Sequence, residues 1–98
     1  MKKEIFIITH SFNEAYSSCR FFEVVGAFST EEQAERKLKE IERGINNRTL
    51  HYLKDVPFKE IEYPIPGVKG ISFEWSDYGC DFKMFTNFAI EKTMLEEE

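Results

Sequence analysis

Four side chains of this chain have the chemistry to ligate a soft or borderline metal ion: His10, Cys19, His51 and Cys80. Zinc sites bring their ligands in local pairs a few residues apart, and none of these four has such a neighbour. No metal and no other cofactor is therefore expected. Acid–base catalysis would fall to His10, which ends an apolar run and adjoins Ser11, with His51 as a second imidazole. An RNase built that way must also hold phosphate. The chain carries 13 Lys and Arg against 18 Asp and Glu, a net charge of −5, which is the wrong sign for that task. His10 reads instead as a loop histidine that orders backbone, and the chain as a non-enzyme. The phosphate-cradling glycine patterns are absent, and Gly67-Val68-Lys69-Gly70 joins two strands, so it reads as a turn.

The segment that best suits recognition is Glu74-Trp75-Ser76-Asp77-Tyr78-Gly79-Cys80-Asp81. Trp75 and Tyr78 are residue types enriched at binding hot spots. Glu74, Asp77 and Asp81 surround them, and no Lys or Arg lies between Gly70 and Phe82. An aromatic tip with an acidic rim would fit a basic protein partner, such as a toxin domain, and complementary charge would speed and select that association. The acidity belongs to the C-terminal half. Residues 1–50 balance at eight basic and eight acidic, while residues 51–98 hold five and ten.

These residues need elements to position them. Glu4 to Thr9 has apolar residues on both faces, as in a central strand, and His10 to Ser18 reads as a polar loop. Cys19 to Phe28 is a second strand, with Gly26 marking a bulge or a close backbone approach. Ser29-Thr30-Glu31-Glu32 predicts a capping box with Ser29 as N-cap. Ala34, Leu38, Ile41 and Ile45 then form the apolar stripe of one helix. Glu32–Arg36 and Glu35–Lys39 are i,i+4 pairs on its wet side. Gly44, Asn46 or Asn47 would end it. Phe58 to Ile65 alternates and is stopped by Pro64 and Pro66, which suits an edge strand. Ile71 to Trp75 alternates as well. Phe82 to Leu95 is a last long strand, expected to bulge near Asn87 and, like the strand at 58–65, able to leave an edge open. Residues 96–98 read as a disordered tail. The order β-β-α-β-β-β predicts an α+β fold: a single domain over residues 1–98, with one helix on a face of a mostly antiparallel sheet of about five strands.

Ninety-eight residues suffice for one core. Apolar residues at 42% are enough to fill it, and no apolar run is long enough to span a bilayer. The charge disfavours nucleic acid as a partner. Two cysteines without a signal-type leader suggest a reducing cytoplasm, with free thiols rather than a Cys19–Cys80 bridge. The oligomeric expectation is a monomer or weak homodimer.

Ile5-Phe6-Ile7-Ile8-Thr9-His10-Ser11-Phe12, followed by Val25-Gly26-Ala27-Phe28-Ser29-Thr30-Glu31-Glu32-Gln33-Ala34, resembles a family of small uncharacterised bacterial and phage proteins. Those open on an apolar strand ending in Thr-His-Ser, continue into a Gly-x-aromatic-Ser-Thr-Glu-Glu-x-Ala helix start, and close on an apolar, acidic strand similar to Phe88 to Leu95. The likeness covers about half of the chain and implies a bacterial or phage source, with no activity attached. The expected function is a non-catalytic protein-binding domain, foremost an immunity protein that neutralises a cognate bacterial toxin. A phage or mobile-element accessory protein that binds a host factor is the alternative. A small hydrolase or RNase using His10 is the second alternative.

Overall fold

The computed structural model describes residues 2–14, 19–50, 53, 56–76 and 83–96. Five strands form one antiparallel sheet: β1 (Lys2–Glu14), β2 (Cys19–Phe28), β3 (Phe58–Ile61), β4 (Gly70–Ser76) and β5 (Lys83–Glu96), in the spatial order β2-β1-β5-β4-β3. One helix, α1 (Glu31–Asn46), lies on one face. The chain is thus α+β, with the predicted element order.

The strand boundaries depart from expectation for a common reason. β1 does not stop at Thr9. It pairs with β5 without interruption from Lys2↔Glu96 to Glu14↔Met84. His10 to Asn13 looked like loop because Ser11 and Asn13 are polar. They occupy the face that the helix leaves open, where polar side chains are tolerated. β5 likewise runs straight through Asn87, without the expected bulge, and it lies inside the sheet rather than at an edge. Glu96 extends it by pairing with Lys2, while residues 97 and 98 lie outside the described residues. The irregularity near Gly26 is real. Ile8 pairs with Gly26 and Thr9 with Val24, which leaves Val25 as the bulged residue. β3 forms the other edge, as expected, but ends at Ile61. Pro64 and Pro66 cannot donate to a ladder.

The helix follows its stripe. Ala34, Leu38, Ile41 and Ile45 are buried against Ile8, Ile71, Phe73, Phe88 and Ile90. The N-cap is Thr30, one residue later than predicted: its hydroxyl accepts from the Gln33 N–H at 3.2 Å, while Ser29 bonds the Gln33 side chain at 3.1 Å. Thr30-x-x-Gln33 offers the same capping spacing as Ser29-x-x-Glu32, and the chain adopts the later frame. At the other end Arg48, not a glycine or asparagine, takes the positive φ of 60°. Its guanidinium donates to the Leu53 and Val56 carbonyls, both at 3.0 Å, and sits 4.7 Å over the Phe58 ring. Those contacts hold a conformation that ordinarily suits glycine. Gly44 stays helical, and a Cβ there would come within 2.5 Å of Leu50, so its bareness serves packing. Glu35 pairs not with Lys39 but with Lys69, which also bonds Glu31. The two carboxylates raise the Lys69 pKa. The turn lysine thereby ties the first turns of α1 to the β3–β4 connection.

Candidate functional site on the open sheet face

Alternation assigns every strand residue to one of two faces. Opposite the helix, one row crosses all five strands: Phe22, Ser11, Asn87, Ser72 and Ile61 are successive register partners. Its centre is a hydrogen-bonded chain. The Ser72 hydroxyl donates to Asn87 Oδ1 at 2.7 Å, and Asn87 Nδ2 donates to Asn13 Oδ1 at 3.0 Å. Ser72 is fully buried although it faces away from the helix. The segment after β3 accounts for that cover. Tyr63 packs against Gly70, where a Cβ would lie 2.6 Å from its ring and 2.8 Å from the Phe88 carbonyl. Burial, and secondarily the charge of Glu91, raise the Tyr63 pKa.

Between this strap and the polar row lies a cleft of about 350 Å3. Ile61, Tyr63, Pro64, Ile65 and Phe85 give it an apolar wall, and Ser11, Asn13 and Asn87 a polar one. Among the described residues, no charged side chain lines it. Beside it on β2 stand Phe22, 62% exposed, and Val24, 55% exposed, with Ile65 at 53% on the strap. An uncharged cleft flanked by exposed apolar groups can bury a neutral side chain or ring and hydrogen-bond its polar atoms.

The segment favoured by the sequence is laid out differently. Glu74 and Trp75 point to opposite faces of β4. Glu74 faces the open side, where Lys83 at 3.0 Å and Lys59 at 3.5 Å flank it. These lysines, Lys83 foremost, lower its pKa. Its charge is therefore answered within the chain, by bases that sequence distance had hidden. Trp75 is on the helix side, half-buried, and its indole N–H donates to Thr86 Oγ1 at 2.9 Å. Asp77, Tyr78 and Asp81 lie outside the described residues, as do Cys80 and His51.

His10 and Ser11 likewise face opposite ways. His10 is buried on the helix side, stacked on its register partner Phe88 at 4.6 Å, with Nδ1 3.0 Å from Glu23 Oε1. It lies in strand β1 rather than in a loop, and its ring meets the Glu23 carboxylate of β2. Among the described residues, no three His, Cys, Asp or Glu side chains group as metal ligands, and no helix is long and apolar enough to cross a membrane.

The polar row escaped sequence reasoning because its members are ordinary residues scattered over 77 positions, from Ser11 to Asn87. The signal was present in the alternation. Ser11 and Asn13, Ser72, and Asn87 each hold the outward phase of a strand. Comparison with protein-family models, curated proteins and solved structures finds no match for this chain.

Proposed function

We propose that the chain is a protein-binding domain that presents the open face of its sheet to a partner. The exposed Phe22 and Val24 beside the polar-walled cleft carry this reading. Contiguous apolar groups bordered by polar ones are the usual mark of an interaction surface, because a protein without a partner gains nothing by leaving them in water. The role remains non-catalytic. Toxin neutralisation, expected from small size and acidic balance, is one form of this reading, and binding a host factor from a phage or mobile element is another. A bacterial or phage source, implied by the resemblance of the Thr-His-Ser strand and the helix start, suits both. This reading centres the surface on Phe22 and Val24 rather than on the aromatic–acidic segment around Trp75.

Co-expression with the product of the adjacent gene tests the reading. The wild type is expected to co-purify with it, and the double variant Phe22→Ser/Val24→Ser to lose it while staying folded. Retention by that variant at wild-type affinity would contradict the assignment.

A further inference from the structure

The two edges of the sheet are not alike. β3 is four residues long and runs into Pro64 and Pro66. β2 is ten residues long, contains no proline and, among the described residues, has no strand on its outer side. An edge strand turns alternate N–H and C=O groups outward and can accept another strand. The bulge at Val25 divides β2 into two stretches, residues 21–24 and 26–28, each in regular register with β1.

Under the second stretch, the flank of α1 borders a groove of about 490 Å3, lined by Ala27, Phe28, Gln33, Arg36, Lys37 and Glu40 together with Ser29. Lys37 pairs with Glu40 at 3.4 Å. Arg36 is exposed. Among the described residues, the Arg36 guanidinium beside this open backbone edge is left without an ion-pair partner. A strand laid along β2 would send alternate side chains to either side of the sheet. Those on one side would join Phe22 and Val24. Those on the other would enter the groove at Arg36.

We propose that β2 accepts an added strand from the partner: an extended segment with apolar side chains on the open-face side and a carboxylate on the helix side, paired with Arg36. The proposal rests on the protein-binding reading and specifies the partner's chemistry. Backbone pairing supplies affinity, and the alternate side chains supply selectivity. The carboxylate belongs alongside residues 26–28, away from Glu23, which shares the helix side and already bonds His10. A second copy of β2 fits less well, because the acid it would offer is that same Glu23.

The test is an NMR titration of the labelled protein with capped seven-residue peptides. Their valines lie on one face; on the other are threonines and a single glutamate, or a lysine in its place. The glutamate peptide is expected to shift and protect the amides of β2 and to bind about fivefold more tightly than the lysine peptide, the scale of one exposed ion pair. Arg36→Glu should invert that preference, and N-methylation of the peptide's pairing amides should abolish binding. Equal binding of both peptides, or shifts confined to Ser11, Asn87 and the strap, would overturn the proposal. So would self-association of the free protein that Val24→Lys abolishes. If neither peptide binds while Phe22→Ser/Val24→Ser still releases the co-expressed partner, strand addition fails and the protein-binding reading stands.

Discussion

The two faces of this sheet are built from the same five strands and put to opposite uses. On the helix side, Ile8, Phe73 and Phe88 are fully buried under α1, and Phe58 meets Phe73 edge-to-face at 5.6 Å. On the open side, the middle is closed by hydrogen bonds and by a strap, while the β2 margin leaves Phe22 and Val24 in water. Apolar content alone does not separate the faces; what separates them is whether anything within the chain covers it. The helix face stabilises the fold, and the open face holds in reserve the surface that a partner would bury.

The largest predicted difference sets core against margin. Phe88→Ala should cost about 3–5 kcal/mol in denaturant unfolding, through lost burial and a cavity under the helix. Phe22→Ser should change stability by no more than about 0.5 kcal/mol, as expected of an exposed site. Equal effects would erase the distinction between the faces. Next comes the polar centre of the open face. Asn87→Ala leaves the buried Ser72 hydroxyl without its acceptor, a loss of about 1–3 kcal/mol. A neutral result would show that the chain of hydrogen bonds contributes little. Gly70→Ala forces a methyl group into Tyr63 and the Phe88 carbonyl. It should cost about 1–3 kcal/mol and expose the strap to protease, whereas the core stays closed.

The smallest effects are electrostatic. Glu74 has a folded-state pKa lowered by Lys83 and Lys59. Its contribution is present above the ordinary carboxylate pKa and is lost as pH falls through the depressed value. Glu42 behaves oppositely. A hydrogen bond to Glu60, with burial second, raises its pKa, so the folded state holds that proton more tightly and gains stability as pH falls through the raised value. Glu42→Gln removes the repulsion and should leave stability at pH 7 unchanged or slightly higher, while flattening its rise on mild acidification. Thermal melts across pH 3 to 7 of Glu42→Gln and Glu74→Gln check both signs.

The sequence made the helix-covered face legible and the open face obscure. The stripe Ala34, Leu38, Ile41 and Ile45 is a local, periodic signal, and it alone predicted which side of α1 docks. The element order followed from it and from the alternation of the strands. Ser11 and Asn13 were misread because polarity was taken for the absence of structure, when it marked the less-covered face. The bases around Glu74 were hidden because its two lysines are 15 and 9 residues away in sequence and become neighbours only through the register of β3, β4 and β5. The cleft depends on Gly70 admitting Tyr63, a tertiary contact with no short-range pattern.

Site-specific photo-crosslinking in the cells that make this protein tests the central claim most directly. Phe22 is replaced by p-benzoylphenylalanine in one sample, and Lys39, exposed on the outer surface of α1, in another. A discrete crosslinked species is expected from position 22 and none from position 39. A partner captured from position 39 but not from position 22 would place recognition on the helix and contradict the central claim.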